Sequence, residues 1–290
     1  MSSMIRWMKS HRSSCGHWRS LSAMRASLSK HHGLGNDFLV YDAAQGDPGV
    51  AWSELARRLC ARTTGIGADG LLVLGIDGAR LSMRLFNADG SPAEMSGNGI
   101  RCLVQAAHHA LGRGPGAVYS VDTDAGLRTA EVVGEPDGHT ILVRVDMGPV
   151  TDLPEPEGWA ALECDPNRPV RHVSLGNPHS VVGVEDVRLV DLARLGGLVP
   201  QVNLEIIEPG PGTNAVTMRV HERGAGLTLA CGTGACAAAD AALAWGIVPR
   251  STDEVVVHMD GGIARVHIAG DRTAVLTGPA TWIGTVTVLT

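Results

Sequence analysis

Two short glycine-rich segments carry the residues of this chain most able to move a proton. The first is MSGNGIRC at residues 95–102 and the second is ACGTGACAAA at residues 230–239. Each places a hydroxyl or thiol side chain, Ser96 or Cys231, directly before a Gly-polar-Gly turn and a helix-forming run. Because the pattern occurs once in each half of the chain, it predicts two related proton-handling positions.

Such a turn favours a bound anion. Its glycines let backbone N–H groups approach a ligand, and the helix that follows adds partial positive charge at its N-terminus. A free thiol has a pKa of about 8.5, which surroundings of this kind lower. We therefore expect a lowered pKa for Cys231, whose thiolate would act as a base. The structural alternative is that glycine turns commonly precede helices and that a buried cysteine serves as a small apolar residue.

Further polar residues stand at the ends of strand-like segments. They are Asn36, Asn87, Asn98, Asn177, His179, Glu222 and Arg223. Each alone could belong to an ordinary turn. Together they offer amide groups, a cation and a carboxylate, an inventory that suits a zwitterionic amino acid. Arg223 could hold a carboxylate through two parallel hydrogen bonds, and Glu222 could bind an ammonium group.

The histidines raise a second interpretation, a catalytic metal site. The candidate ligands are His31, His32, His108, His109, His172 and His179. None of them forms an HxxxH or HExxH pair, the spacing that places two ligands on one helix face. Neither glycine turn has the lysine or the spacing of a phosphate- or dinucleotide-binding loop. We therefore expect no metal and no cofactor.

Composition limits the class of protein. With 290 residues, 44% of them apolar, the chain can bury one large core or two ordinary ones. A formal net charge of −6 gives no basic surface for nucleic acid, and no apolar run is long enough to span a bilayer. Six cysteines without CxxC spacing indicate the reducing cytoplasm rather than a disulfide scaffold.

The first residues have a composition of their own. Residues 1–30 contain no Asp or Glu and several Arg and Ser. We interpret residues 1–27 as a disordered extension or a mis-assigned translation start, with an organelle transit peptide as the lesser alternative.

The remaining pattern predicts an α/β fold. Strand-like runs at 38–43, 70–75, 81–90, 140–148, 169–184 and 213–224 alternate with helical runs at 53–63, 100–112 and 235–246. We expect two pseudo-symmetric domains, each a curled mixed or antiparallel sheet around a central helix, with the active site in the cleft between them. The expected domains are residues 28–143 with 279–290, and residues 144–278.

Several longer segments resemble the signature segments of the diaminopimelate epimerase family. They are HGLGNDF, GIGADGLL, FNADGSPAEMSGNGIRC, GNPHSVV and ERGAGLTLACGTGACAA, and they follow the family order from His32 to Ala238. The segment LTGPA near the C-terminus fits as well.

The resemblance implies a cofactor-free homodimeric enzyme that interconverts LL- and meso-diaminopimelate, a small amino acid. In this family two cysteines on opposite faces of the substrate exchange the α-proton, and Cys231 matches one of them. His179 and Glu222 would lie beside the acid/base pair. The positions that match substrate-binding residues are Asn36, Asn87, Gly97, Asn98, Asn177, Asn203, Glu222, Arg223, Gly232 and Thr233.

The chain departs from the family at the other cysteine, where it has Ser96. An alcohol ionises far less readily than a thiol and normally needs an adjacent base. Three hypotheses stay open. The first is a diaminopimelate epimerase in which Ser96, aided by the helix terminus and by His179, is the second acid/base. The second is a proline racemase-like relative that uses one thiolate for elimination or for epimerisation of another amino acid. The third is an amino-acid-binding protein that has lost catalysis.

Overall fold

The computed structural model describes residues 25–289, which form α-helices and β-strands with short connections. The helices are α1 (Trp52–Cys60), α2 (Gly97–Leu111), α3 (Leu192–Leu198) and α4 (Gly232–Trp245). The strands of the first half are β1 (Arg25–Gly33), β2 (Asn36–Asp42), β3 (Gly70–Asp77), β4 (Arg80–Asn87), β5 (Pro92–Ala93), β6 (Val118–Thr123), β7 (Gly126–Gly134) and β8 (Thr140–Pro149). Those of the second half are β9 (Thr151–Asp152), β10 (Val170–Ser174), β11 (Pro178–Gly183), β12 (Asn203–Pro209), β13 (Ala215–Glu222), β14 (Gly226–Thr228), β15 (Val255–Met259), β16 (Gly262–Ile268) and β17 (Thr273–Leu289). Within residues 25–289, three short 3-10 helices span Ala43–Gln45, Trp159–Leu162 and Val187–Leu189.

One closed ring of strands surrounds α2. In order of pairing, it runs β1, β2, β3, β4, β6, β7, β8 and β17, and β17 returns to β1. The pairs β2–β3 and β4–β6 are parallel. Parallel neighbours need a long crossover connection, and here α1 and α2 lie in those two connections. Residues Ile100, Leu103, Val104 and Ala107 of α2 are buried, as expected of a helix enclosed by sheet.

A second closed ring surrounds α4. It runs β9, β10, β11, β12, β13, β15, β16 and β17, and it closes because β17 also pairs with β8, which leads directly into β9. Helix α4 is alanine-rich, and residues 235–242 are all buried. Small side chains let the surrounding strands approach this helix closely. One continuous hydrophobic cluster packs against both central helices, with Met147 and Leu276 among its members.

Strand β17 joins the two rings. Its residues 274–277 pair with β16, and residues 281–289 pair with β1 across a register shift. As a sequence, TAVLTG and WIGTVTVLT predict two separate strands here, the last of them returning to the first half of the chain. The structure has a single strand of 17 residues that makes this return without a break.

The expected fold class, a curled mixed sheet around central helices, is confirmed. The expected N-terminal extension of residues 1–27 is wrong at its end, because Arg25–Ser27 begin β1 and pair with β17. Ala26 and Leu28 alternate inward there and are buried, which accounts for the strand. The rest of that extension lies outside the described residues. No helix in the described part of the chain is both long and apolar enough to cross a membrane.

Candidate active site

Ser96 lies at the start of α2 as its N-cap residue. Its backbone is extended, with φ −143° and ψ 122°, and its hydroxyl accepts a hydrogen bond from the Gly99 N–H at 3.0 Å. Serine is among the preferred N-cap residues because its oxygen satisfies one of the orphan N–H groups of the first turn. The helix therefore presents Ser96 together with a set of backbone donors.

Cys231 holds the equivalent position in α4. Its backbone angles are φ −128° and ψ 120°, and its Sγ accepts from the Gly234 N–H at 3.3 Å. The Thr233 hydroxyl lies 3.4 Å from the same sulfur. The two glycine turns recognised in the sequence are therefore two helix N-termini with the same cap geometry.

The two caps face a common cavity of about 560 Å³. Both Ser96 and Cys231 line it. So do all the residues that the family resemblance marked as substrate-binding, namely Asn36, Asn87, Gly97, Asn98, Asn177, Asn203, Glu222, Arg223, Gly232 and Thr233. Residues more than a hundred positions apart in the chain thus meet at one place, and the volume is in the range of small-molecule sites.

His179 does not line the cavity. Its side chain is fully buried behind Asn177, where Nδ1 lies 2.6 Å from Glu205 Oε1 and Nε2 lies 3.1 Å from Asn177 Oδ1. The expectation that His179 assists Ser96 is therefore wrong. The Ser96 hydroxyl is hydrogen-bonded to the Gly99 N–H, and no titratable side chain of residues 25–289 is hydrogen-bonded to it. His179 connects instead to the Cys231 side, because Asn177 donates to Thr233 Oγ1 at 3.2 Å.

Amide side chains tie the α2 terminus to its surroundings. Asn98 Nδ2 donates to Asn36 Oδ1 at 3.1 Å and to the Ala230 carbonyl at 2.9 Å. Asn98 Oδ1 accepts from the buried Arg101 at 2.7 Å. Asn36 in turn donates to Asp69 Oδ2 at 2.7 Å. These bonds fix the orientation of each amide before any ligand is present.

The opposite wall of the cavity carries its charged groups. Asn203 Oδ1 accepts from the Arg223 backbone N–H at 2.8 Å and so holds the turn after β13. The Arg223 guanidinium is half exposed, with Glu94 Oε2 at 3.9 Å. Glu222 accepts a hydrogen bond from the Thr228 hydroxyl. The Arg223 guanidinium therefore has donors that can bind the carboxylate of a ligand. Asn203 instead holds the turn that carries Arg223.

Cys231 differs from the sequence expectation in its acidity. Burial raises the pKa of the thiol well above its usual value, and the charges of Glu222 and Glu205 raise it further. The Thr233 hydroxyl and the Gly234 N–H act in the opposite direction but do not overcome this. The expected lowering was wrong because a helix terminus and a hydrogen bond contribute less than removal of a thiolate from water. A thiol with a raised pKa keeps its proton near neutral pH.

The pKa values of the two neighbouring carboxyls, Glu222 and Glu205, are raised as well. Burial is the main cause of a raised pKa for Glu222 and for Glu205. A site with several buried acidic groups holds protons readily, because each further negative charge costs desolvation and repulsion. Proton transfer between neighbours that keeps the net charge constant avoids most of that cost.

Sequence reasoning missed several polar residues of this region, Asp69, Thr228 and Glu205 among them. Asp69 and Thr228 line the cavity, and Glu205 lies behind it. A signal for Glu205 exists in the sequence: it is one carboxylate between apolar neighbours in LEII, and a charge in a buried strand usually has a specific partner. Asp69 stands in the segment GIGADGLL, where a carboxylate precedes a buried strand.

The arrangement offers a thiol, a hydroxyl and two sets of helix N-terminal N–H groups around one space. Such groups can exchange a proton with carbon and stabilise the negative charge that forms. No cluster of three or more His, Cys, Asp or Glu side chains suited to a metal ion was found in the described part of the chain.

Comparison with known proteins finds relatives that match over most of this chain. The chain is 40% identical over 279 residues to a diaminopimelate epimerase of Desulfitobacterium hafniense, covering 88% of this chain and 95% of that protein. It is 41% identical over 279 residues to one of Moorella thermoacetica, covering 87% and 95%.

Solved structures share the fold at lower identity. A predicted epimerase of Pseudomonas aeruginosa has a TM-score of 0.72 at 16% identity, covering 91% of this chain and 99% of that one. A hydroxyproline epimerase of Agrobacterium vitis has a TM-score of 0.63 at 17% identity, covering 91% of each. The family model for diaminopimelate epimerase matches residues 28–153 and 171–283. The chain therefore belongs to the diaminopimelate epimerase family.

Proposed function

We propose that this protein interconverts LL- and meso-diaminopimelate by moving the α-hydrogen between Cys231 and Ser96 without a cofactor. The observation that carries the proposal is that these two side chains cap two helices whose N-termini meet at one cavity. The relatives named as diaminopimelate epimerases at about 40% identity support the substrate.

The reaction needs the Cα–H bond to break toward one side chain and a new one to form from the other. In one direction the Cys231 thiolate takes the proton, and the electron pair moves into the substrate carboxylate. The N–H groups of the two helix N-termini stabilise that charge. The Ser96 hydroxyl then gives its proton to the opposite face of Cα. This leaves Ser96 as an alkoxide and Cys231 as a thiol. In the reverse direction that alkoxide removes the α-proton and the Cys231 thiol donates one to the opposite face.

Formation of the thiolate is the step for which Glu222 is suited. The charge of Glu222 raises the pKa of Cys231, so the two groups are electrostatic neighbours. The raised pKa of Glu222 makes it a better proton acceptor than an exposed carboxylate. Transfer of a proton from Cys231 to Glu222 leaves the buried net charge unchanged. Arg223 and the cavity amides would hold the charged groups of the substrate's second end.

Ser96 supports a second candidate function. Its hydroxyl accepts from Gly99 N–H, and no base among residues 25–289 is hydrogen-bonded to it. An alcohol in that position can donate a proton more easily than it can remove one. A reaction that uses only the Cys231 thiolate, such as elimination or epimerisation of another amino acid, would avoid this weakness. An amino-acid-binding protein without catalysis is the third candidate.

An exchange experiment in deuterium oxide separates the candidates. The purified protein is incubated with LL- or meso-diaminopimelate, and label and configuration are followed by mass spectrometry and chiral chromatography. Label that enters Cα with inversion supports the epimerase, and loss of that signal in Cys231→Ala assigns it to this site. Cys164→Ala is the matched control, because Cys164 lies outside the cavity. Reaction with another amino acid alone supports the second candidate, and no exchange with any amino acid supports the third.

The resemblance also leads us to propose a cytoplasmic homodimer with two domains, residues 28–143 with 279–290 and residues 144–278. Light scattering of the purified protein measures the oligomeric state. A mass near 60 kDa would support the dimer, since one chain has a mass of 30.3 kDa.

A further inference from the structure

A continuous chain of hydrogen bonds ends at the Cys231 sulfur. It begins at Glu205 Oε1, which is 2.6 Å from His179 Nδ1. His179 Nε2 is 3.1 Å from Asn177 Oδ1, and Asn177 Nδ2 is 3.2 Å from Thr233 Oγ1. Thr233 Oγ1 is 3.4 Å from Cys231 Sγ. Three side chains therefore connect a buried carboxyl to the thiol through four hydrogen bonds.

The side-chain amide of Asn177 gives this series of hydrogen bonds one direction. Asn177 Nδ2 can only donate, so Thr233 Oγ1 accepts there and its own hydrogen is free to point at Cys231 Sγ. Asn177 Oδ1 can only accept, so His179 Nε2 must carry a hydrogen. Each link then donates toward the sulfur. This is the polarity that stabilises a thiolate.

Glu205 is the group that selects this polarity. A protonated carboxyl donates to His179 Nδ1 and leaves the hydrogen on Nε2. A carboxylate paired with an imidazolium leaves a hydrogen on Nε2 as well. In both arrangements the pair keeps the proton between Glu205 and Nδ1, and the histidine donates to Asn177. Burial of Glu205, which raises the pKa of its carboxyl, favours this protonated pair over a carboxylate beside a neutral histidine, which would draw the hydrogen to Nδ1. Without Glu205, the histidine is free to carry its hydrogen on Nδ1, and the chain loses its direction.

The surroundings of Glu205 are unusual for a residue that serves only packing. Its side chain is fully buried on β12, and within residues 25–289 its Oε2 has no hydrogen-bond partner. A Cβ placed on Gly234 would lie 2.8 Å from Glu205 Oε1, so the carboxyl packs against the first turn of α4. The titratable groups that face it are His179, Glu222 and Cys231. A methionine would fill the same volume without an orphan buried oxygen.

We propose that Glu205 is a positioning residue that fixes the Nε2–H form of His179 and thereby directs the Thr233 hydroxyl to Cys231 Sγ. The inference rests on the proposed function, because it assigns the origin of thiolate stabilisation at the base of that reaction. Glu205 acts through three intervening side chains and does not line the cavity.

Two substitutions of different chemistry test the proposal. Glu205→Gln keeps a donor, since its amide can give a hydrogen bond to His179 Nδ1 and preserve the histidine tautomer. Glu205→Met removes the donor and keeps the volume. Glu208→Met is the matched control, because Glu208 lies on the same strand and accepts a hydrogen bond from the Val187 N–H, apart from the cavity.

The main readout is the pH dependence of alkylation of Cys231 by iodoacetamide, measured by mass spectrometry without substrate. Because the Glu205–His179 pair keeps its shared proton, Glu205→Met removes little negative charge, and the lost hydrogen-bond direction dominates. We expect it to move the midpoint of alkylation upward by about half to one pH unit, the size of one hydrogen bond. Glu205→Gln and Glu208→Met should stay near the wild-type midpoint. With substrate, kcat should fall on the order of tenfold in Glu205→Met and be largely retained in Glu205→Gln. Thermal unfolding should show that all three variants are folded.

The opposite sign would overturn the proposal. If Glu205 acts only as a nearby negative charge, both Glu205→Met and Glu205→Gln will lower the midpoint. Equal midpoints in wild type and Glu205→Met would also refute it. Because alkylation needs no substrate, these outcomes are distinct from failure of the proposed function, which would appear as absent epimerisation in the wild-type protein.

Discussion

Gly97 and Gly232 touch through their backbones. A Cβ placed on Gly97 would lie 2.9 Å from Gly232 Cα, and a Cβ on Gly232 would lie 2.8 Å from Gly97 Cα. Each glycine directly follows a proposed acid/base residue, Ser96 or Cys231. The contact therefore sets how closely the two helix N-termini, and the two side chains that cap them, can approach each other.

We expect Gly97→Ala or Gly232→Ala to lower kcat/KM on the order of a hundredfold, because an added methyl forces the helix termini apart and misplaces the reacting groups. The cost in stability should be about 1–3 kcal/mol, the usual range for overpacking. Steady-state kinetics and urea unfolding measure the two effects. Gly114→Ala is the control, since a Cβ there meets no atom within 4 Å. Full activity in Gly97→Ala would show that the contact is not required.

Ser96→Cys should raise kcat/KM by at least about tenfold, equivalent to about 1.4 kcal/mol of barrier. A thiol ionises more readily than an alcohol, and the Gly99 N–H that Ser96 accepts from can stabilise either anion. The same factor should appear in both directions, because the ratio of forward to reverse efficiencies is fixed by the equilibrium between the isomers. Initial rates from LL- and from meso-diaminopimelate measure this.

Ser120→Cys is the control for an added thiol, because Ser120 is exposed on β6. An unchanged or lower rate in Ser96→Cys would contradict the role assigned to Ser96.

The sequence was most informative where function depends on local pattern. The glycine turns at Ser96 and Cys231 could be recognised because a helix cap is built from a few consecutive residues. The central helices and most strands followed from periodicity. The closure of both rings through β17 was only partly visible, because the pairing of residues 274–277 with β16 and of 281–289 with β1 is set by contacts far apart in the chain.

The sequence pattern did not predict the properties that depend on burial. The pKa of Cys231 moves upward rather than downward because Glu222 and Glu205 arrive from other strands and water is excluded. The partner of His179 could not be assigned for the same reason, since Glu205 is 26 residues away on β12. Arg25–Ser27 were assigned to an extension because their composition resembles the segment before them, whereas pairing with β17 makes them a strand.

The raised pKa of Cys231 predicts a loss of stability at alkaline pH. A folded thiol with a raised pKa binds its proton more tightly than the unfolded one. Its contribution is therefore complete below the unfolded pKa, near 9.0, and is lost as pH rises through the folded pKa. Cys231→Ser should reduce the alkaline loss by about 1.4 kcal/mol per pH unit in that window. Urea unfolding of both proteins from pH 8 to pH 10 measures the slopes, and parallel slopes would contradict the prediction.

Asp240 lies on α4 and links this helix to Arg171 and Arg272. Its carboxylate accepts from Arg272 at 2.9 and 3.0 Å and from Arg171 at 2.8 Å, and only 5% of its side chain is exposed. Asp152 contacts the same two arginines from outside. Asp240→Ala would leave two partly buried guanidinium groups without their inner partner. We expect a loss of about 2–4 kcal/mol in the free energy of unfolding.

The activity of Asp240→Ala distinguishes an anchor from a member of the site. Asp240 does not line the cavity, so kcat/KM at a temperature where the variant is folded should stay within about threefold of wild type, because substitutions remote from the reacting groups change stability more than chemistry. Asp122→Asn is the matched control, since the Arg80–Asp122 pair is largely exposed and such pairs contribute little. Urea unfolding and steady-state kinetics of both variants measure the changes in stability and in kcat/KM. A large fall in kcat/KM with unchanged stability would place Asp240 in the catalytic network instead.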